Sequence, residues 1–178
     1  MSERAGRYTR SFGGMVGAMI VLIAVVVAFV LFRSFFQAAP NDPAPAVSYR
    51  ADLAYYRSKA SFPLLAPPAT PEGWKATSVR FEPAKPQSWH LGYLTGDRRY
   101  VGIEQAHRSI AEMVEEFVAD DATRGEDVDI DGATWQTYTA DDGDAAVVRR
   151  ADGVTTLVVG SDSDTSTVTE FAGTLRDH

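Results

Sequence analysis

The chain has 178 residues, a formal net charge of −7 and no cysteine. The absence of cysteine excludes disulfide bracing, thiolate catalysis, cysteine-ligated zinc and the lipid-attachment cysteine of a bacterial lipoprotein. Because acidic surfaces repel phosphate backbones, nucleic acid is not expected as a partner.

An uncharged stretch, Ser11–Phe32, lies close to the N-terminus. At roughly 1.5 Å per residue, a helix of this length crosses a hydrocarbon core of about 30 Å. The sequence therefore predicts a tail over residues 1–10 and a transmembrane helix over residues 11–32 that anchors the chain in the lipid bilayer. Arg4, Arg7 and Arg10 precede the stretch, so the positive-inside rule places the N-terminus in the cytoplasm and the C-terminal domain outside.

A cleaved secretory signal is the alternative interpretation of this stretch, since small residues follow it at Gln37-Ala38-Ala39. The apolar run is longer, however, than a typical signal core of about 7–15 residues. A retained anchor is therefore favoured, and either interpretation leaves the domain outside the cytoplasm.

Gly13 and Gly17 form a G-x-x-x-G pair inside the predicted membrane helix. Small residues at this spacing allow two helix backbones to approach closely, which predicts a homodimer through the membrane helix. The alternative is that these glycines have no such role, because glycine is common in membrane helices.

Beyond the predicted helix, residues 33–46 form a proline-rich linker, and residues 47–178 form the extracytoplasmic domain. A short helix is predicted over Val47–Ala60, where one face is apolar. The proline-containing stretch Leu65–Gly73 is turn-like and leads into the first strand.

Alternating patterns and two-residue turn signals predict six strands after Trp74. Capping-box spacing predicts two helices. One begins after Ser109, which is paired with Glu112, and the other begins near Thr167, which is paired with Glu170. The first of these helices is expected to end at about Ala119. The strands are expected at Lys75–Glu82, Trp89–Leu94, Tyr100–Gln105, Ala133–Ala140, Asp144–Ala151 and Val154–Val159.

The sequences of the two capped helices align at one constant offset, which places Ser109 on Thr167 and Phe117 on Leu175. This suggests a duplicated β-β-β-α unit, although two unrelated amphipathic helices can also be aligned by a free shift. The predicted fold class is therefore α+β, an antiparallel sheet with helices packed on it, with or without duplication.

Asp127, Asp129 and Asp131 alternate before Gly132, like the opening of a calcium-binding loop. Tyr138 stands where such a loop requires a bidentate glutamate, so the stretch is not an EF-hand. A metal site at these carboxylates is one interpretation. A half-buried strand followed by a turn is the other, and no cofactor is indicated.

Trp89 and His90 are the candidate ligand-binding residues, if the pair lies on an exposed sheet face. The alternative is a core tryptophan beside a solvent-facing histidine. The chain carries no H-E-x-x-H motif, G-x-S-x-G motif or phosphate-binding glycine loop, so no catalytic residue is assigned.

Four segments together resemble one family: RYTRSFGGMVGAM, Pro71–Ser78 (PEGWKATS), Trp89–Thr95 (WHLGYLT) and Tyr100–Gln105 (YVGIEQ). It is the uncharacterised actinobacterial single-pass membrane protein family known as domain of unknown function 4245. The resemblance implies an envelope protein of an actinobacterium with no established activity. It brings no functional residues to this chain.

These observations favour a membrane-anchored binding or scaffolding domain of the cell envelope, whose partner is an envelope protein, a cell-wall polymer or a small ligand. One alternative is an envelope hydrolase that uses His90 or His107 with carboxylates within hydrogen-bond reach. The other is a calcium-dependent module.

Overall fold

The structure, a computed structural model, describes residues 45–177. The predicted tail, the membrane helix over residues 11–32 and the Gly13–Gly17 pair lie outside the described residues, and so does most of the linker. Within residues 45–177, none of the helices has the length and apolar character needed to span a bilayer.

The described residues form three helices and eight strands. The six predicted strands are all present, and their bounds differ from the predicted ones by at most one residue at either end. The helices are α1 (Arg50–Lys59), α2 (Ile110–Phe117) and α3 (Thr165–Gly173). The strands are β1 (Lys75–Glu82), β2 (Ser88–Leu94), β3 (Tyr100–Ala106), β4 (Thr123–Arg124), β5 (Val128–Ile130), β6 (Ala133–Thr139), β7 (Ala145–Ala151) and β8 (Val154–Gly160).

The strands form one sheet in the order β1-β2-β3-β8-β7-β6-β4, and β5 pairs separately with β6. Every pairing is antiparallel, so the α+β class with an antiparallel sheet is confirmed. Two meanders, β1-β2-β3 and β6-β7-β8, meet where β3 pairs with β8 and Ile103 lies opposite Val158. Asp152 and Gly153 both have positive φ, which is the backbone of the tight turn that joins β7 to β8.

Helices α2 and α3 cover opposite faces of the sheet. On the face that we call the α3 face, Val168 and Phe171 of α3 pack with Val147 and Val158. On the other face, the α2 face, Met113 and Val114 of α2 pack with apolar residues of β7 and β8.

This arrangement bears on the predicted duplication. The element order β-β-β-α occurs twice, as β1-β2-β3-α2 and as β6-β7-β8-α3, with β4 and β5 between the two. Because β3 and β8 are antiparallel, a repeat would relate the two strand triplets by a two-fold axis perpendicular to the sheet. Such an axis does not exchange the two faces of the sheet, so a strict repeat would place both helices on one face. The element order is repeated and the helix packing is not, and an evolutionary duplication stays a prediction.

Both capped helices begin with a side-chain hydrogen bond to the backbone. The capping box at Ser109 and Glu112 is formed in both directions. Helix α3 begins at Thr165, earlier than predicted, because Asp164 is its N-cap and accepts from the Thr167 backbone N–H at 2.9 Å. The predicted capping box at Thr167 and Glu170 is therefore wrong.

Helix α1 packs on the α3 face through Leu53, Tyr56 and Ala60. The chain then turns back beneath it, with Phe62 and Leu64 buried. Ala66 pairs through its backbone with Arg176 near the C-terminus. Segment 61–66 thus lies across the α3 face and forms one wall of the pocket described next.

Candidate functional site

A cavity of about 370 Å³ opens on the α3 face. Its walls come from segment 61–65, from the β5–β6 region and from the end of α3, and side chains of β3, β7 and β8 also line it. This volume lies at the lower end of the range for small-molecule sites, roughly 300–1,000 Å³. The lining is mixed: apolar Leu65, Ile130, Val154 and Leu175 lie beside polar Gln105, His107, Trp135 and Thr156, and the charged residues are Arg149, Asp131, Asp152 and Asp177.

Trp135 lines this pocket and carries an unused hydrogen-bond donor. The residue is only 5% exposed, and its Nε1 has no hydrogen-bond partner among the described residues. An unpaired buried polar group costs about 1–3 kcal/mol, so native proteins rarely leave one without a reason. The Trp89 indole, in contrast, donates to the Leu65 carbonyl oxygen at 2.9 Å.

Arg149 brings a positive charge to the same pocket. It lies opposite Thr156 in the β7–β8 register, and its guanidinium carbon lies 5.9 Å from the centre of the Trp135 ring. Within residues 45–177 it has no carboxylate partner. A cation therefore lies over the indole ring of Trp135, and both residues line the pocket.

Gln105 fixes the wall of the pocket. Its amide oxygen accepts from the Leu65 backbone N–H at 2.8 Å, and its amide nitrogen donates to the Pro63 carbonyl and to Thr156. The bonds to Leu65 and Pro63 tie segment 63–65 to the centre of the sheet, and the bond to Thr156 links β3 to β8. The wall is thus held by a buried side chain, which favours a preformed pocket.

His107 lies at the edge of the pocket. Its Nδ1 is 3.3 Å from the Gly153 carbonyl oxygen, which only accepts, so Nδ1 carries the proton and Nε2 is left to accept. Ser61 Oγ is 3.4 Å from that Nε2, and Phe62 packs edge-on against the ring. No carboxylate has a hydrogen bond to His107 in the described part of the chain.

A second polar group occupies the α2 face, where three side chains from neighbouring strands form a chain of hydrogen bonds. Ser78 Oγ lies 2.7 Å from His90 Nε2, and His90 Nδ1 forms a short hydrogen bond with Glu104. The His90 and Glu104 side chains are 15% and 7% exposed. Because an ionised carboxylate only accepts, Nδ1 donates to Glu104, and in the neutral imidazole Nε2 is then left to accept from Ser78.

Two glycines make room beside this group. A Cβ atom at Gly92 would lie within 3.0 Å of both the Ser78 and Tyr100 hydroxyl oxygens, and one at Gly102 would clash with the Tyr100 ring. Burial, and then the neighbouring Glu104 charge, raise the pKa of Tyr100 above its usual range. The Tyr100 phenol therefore stays a neutral donor.

Trp89 and His90 do not form one surface, because successive residues of a strand face opposite sides of the sheet. Trp89 is fully buried on the α3 face, where it contacts Tyr56. His90 lies on the α2 face with Ser78 and Glu104. The structure therefore does not bring the predicted pair together as a ligand platform.

The three predicted metal ligands have other partners. Asp127 pairs with Arg124 at 2.7 Å, Asp129 accepts from the Gly132 backbone N–H at 3.0 Å, and Asp131 lies 3.3 Å from Arg176. Val128–Ile130 is strand β5, so Asp127 precedes the strand, Asp129 lies within it and Asp131 lies in the turn that follows. Among the described residues, no cluster of three or more histidine or acidic side chains is arranged to hold a metal ion.

The family described as "Protein of unknown function (DUF4245)" matches residues 7–175 of the chain. The chain belongs to this family. The match includes both the pocket and the hydrogen-bonded group on the α2 face. No curated protein matches the chain.

The family match names no site, and the sequence did not point to the pocket of this family member. Trp135 and Arg149 belong to no recognisable sequence motif. One available signal was that Arg149 interrupts the apolar run of β7 at a position that alternates with Val147. Ser78 was also missed, because its approach to His90 depends on a β-bulge between Ala76 and Ser78.

Proposed function

We propose that this family member is a membrane-anchored, extracytoplasmic binding domain of an actinobacterial cell envelope. Its pocket on the α3 face takes a ligand that has an apolar body and a carboxylate. The observation that carries the proposal is the unpartnered Nε1 of Trp135, a buried residue that lines that pocket.

The chemistry of the pocket selects the ligand class. A carboxylate oxygen satisfies the Trp135 N–H, and its charge is attracted by Arg149, which has no other carboxylate partner in residues 45–177. Leu65, Val154 and Leu175 provide apolar contacts for the rest of the ligand. A peptide end or cell-wall polymer end that carries a carboxylate belongs to the same class.

The amino-acid sequence supports the proposed membrane anchor. The stretch Ser11–Phe32 is long enough to cross the bilayer, and the three arginines before it favour a cytoplasmic N-terminus. The family match begins at residue 7, so it includes this stretch.

Because the chain contains no cysteine, single cysteines can report its orientation. We expect a membrane-impermeant maleimide to label the exposed-domain variant Ser58→Cys on intact cells and to leave Ser2→Cys unlabelled until the cells are lysed. Labelling of Ser2→Cys alone on intact cells would reverse the proposed orientation.

Calorimetry on the full chain in lipid nanodiscs tests the pocket. The probe is 3-phenylpropanoate, and its neutral amide is the matched ligand. We expect binding of the acid, and we expect Arg149→Gln to weaken it about tenfold or more, since a hydrogen bond to a charged group contributes about 1.5–3 kcal/mol.

The neighbouring Arg150 supplies a charge-matched control. It donates to the Arg108 carbonyl oxygen and is not among the pocket residues. Arg150→Gln should leave the affinity for 3-phenylpropanoate unchanged. Equal binding of acid and amide, or equal losses in the two arginine variants, would contradict the proposed carboxylate site.

A further inference from the structure

We infer that Ser78, His90 and Glu104 on the α2 face form an acyl-transfer centre in which Ser78 is the nucleophile. This inference does not depend on the pocket of the α3 face, because the two groups share no residue and lie on opposite faces of the sheet.

The hydrogen bonds run in the order that nucleophilic catalysis by serine requires. Ser78 Oγ lies 2.7 Å from His90 Nε2, which accepts its proton in the neutral imidazole, and His90 Nδ1 donates to Glu104. The imidazole is thus held in the tautomer that can remove the serine proton, and the carboxylate stabilises the imidazolium that forms. Glu104 is 5% exposed, which shields its charge from water.

Local backbone structure directs Ser78 toward His90. Strand β1 is at the edge of the sheet, and its register with β2 shifts between Ala76 and Ser78. Such a bulge redirects side chains and is frequent next to active sites. Gly92 lies opposite Ser78 and has no side chain, so Ser78 Oγ occupies space that a Cβ would fill.

Tyr100 supplies a donor on the other side of the same space. Its hydroxyl oxygen lies 3.0 Å from the position of a Cβ at Gly92, and the Ser78 hydroxyl lies within that distance of the same point. Within residues 45–177 the Tyr100 hydroxyl makes no hydrogen bond. The Ser78 and Tyr100 hydroxyls thus lie close together, so a carbonyl group that approaches Ser78 Oγ would have an oxyanion donor in Tyr100.

The proposed reaction is hydrolysis of a carboxylic ester. Ser78 Oγ attacks the carbonyl carbon while His90 Nε2 takes the hydroxyl proton, and the carbonyl oxygen becomes an oxyanion that accepts from Tyr100. The C–O bond to the alcohol then breaks, and His90 returns the proton to the leaving oxygen. Water, activated by His90, cleaves the acyl-serine ester and restores Ser78, so the products are one acid and one alcohol.

The surroundings indicate an extended substrate. Helix α2 packs on β7 and β8 of this face, whereas Ser78 lies on the edge strand and is only half-buried. Arg80 lies opposite His90 in the register, on the same face, and is exposed. We therefore expect acyl esters carried on a large molecule with an anionic group near the ester.

A fluorophosphonate probe on the full chain in nanodiscs tests the centre, with mass spectrometry to locate the modified residue. We expect labelling at Ser78 and an initial burst of 4-nitrophenol from 4-nitrophenyl acetate. Ser78→Ala should abolish both signals. Ser88→Ala is the matched control and should keep them, because Ser88 lies on the neighbouring strand β2 and pairs with Ala106 at the end of the hairpin, away from Ser78.

The roles of Glu104 and Tyr100 are tested by the rate at which saturating fluorophosphonate probe labels Ser78. Glu104→Gln and Tyr100→Phe should each lower the maximal rate of Ser78 labelling at least tenfold. The probe concentration at which labelling reaches half of its maximal rate should not change. Equal melting temperatures of variants and parent chain separate this effect from unfolding. If Ser78 is not labelled, or if both variants are labelled as fast as the parent chain, the inference is wrong.

Discussion

Tyr93 donates its hydroxyl proton to the Tyr49 hydroxyl oxygen over 2.7 Å in the interior of the domain. Tyr49 is 2% exposed and Tyr93 is 0% exposed, and their rings meet edge to face at 6.2 Å. Burial, reinforced by this hydrogen bond, raises the pKa of Tyr93 far above its usual range, so the phenol stays neutral. The bond ties the residue just before α1 to the C-terminal end of β2, and thereby holds α1 on the α3 face.

We expect Tyr93→Phe and Tyr49→Phe each to lower the free energy of unfolding by about 1–3 kcal/mol, because each leaves one buried hydroxyl unpaired. The double variant should cost clearly less than the sum of the two, since it removes both hydroxyls. Urea unfolding of the full chain in a non-ionic detergent, monitored by tryptophan fluorescence, measures the free energy of unfolding of the two single variants and the double variant. Additive costs would mean that the two hydroxyls contribute independently.

Gly160 lies where β8 approaches the start of α3. A Cβ atom there would lie 2.8 Å from Ser163 Cβ and 3.0 Å from Val168 Cγ1. Gly160→Ala should therefore destabilise the domain by about 1–3 kcal/mol through overpacking. Gly96→Ala is the control: its Cβ would lie 3.4 Å from the Gly73 carbonyl oxygen at an exposed turn, and its cost should stay within about 0.5 kcal/mol. Equal costs would contradict the described packing.

Asp164 at the start of α3 makes the stability of the domain dependent on pH. Hydrogen bonds, first from Ser166 and then from Thr167, lower the pKa of Asp164 from 3.8 to about 2. A carboxyl group whose folded pKa is lowered stabilises the fold above its unfolded pKa and loses this effect as the pH falls. The stability contribution of Asp164 is thus present above about pH 4 and is lost toward pH 2.

Asp164→Ala should therefore melt below the parent chain at pH 6, and the gap should narrow as the pH falls from about 4 to about 2. Melting curves by circular dichroism across this range measure the gap. Tyr93→Phe, which changes no group that titrates in this range, should keep a constant gap. A pH-independent gap for Asp164→Ala would show that its charged form does not favour the fold.

The strands were predictable because their signals are local. Strand β1 was predicted at its observed bounds, Lys75–Glu82, and the turns at Gly96 and Gly153 set the hairpins on either side of the sheet centre. The hairpin of β2 and β3 also places His90 opposite Glu104 once its register is known. The start of α3 was missed because Asp164 and Thr167 are both good N-caps, and the choice between them depends on packing.

The sites were less predictable because they depend on distant strand pairings. Gln105, Trp135 and Arg149 come from three strands that meet only because β3 pairs with β8, and no local pattern signals that pairing. Ser78 reaches His90 only through a bulge in β1. Burial of Trp89, in contrast, follows from the alternation of β2 and was the alternative that the sequence left open.

The most direct test of the proposed binding function observes the Trp135 indole N–H itself. The chain has three tryptophans, so ¹⁵N-indole labelling of the full chain in nanodiscs gives three signals, and Trp135→Phe assigns the relevant one. Trp89 is an internal control, because its indole already donates to Leu65.

On addition of 3-phenylpropanoate we expect the Trp135 indole proton to move downfield as it gains a charged acceptor, while the Trp89 signal stays in place. The neutral amide should produce a smaller shift. A Trp135 signal that does not respond to saturating acid, or that moves together with the Trp89 signal, would contradict the proposed carboxylate site.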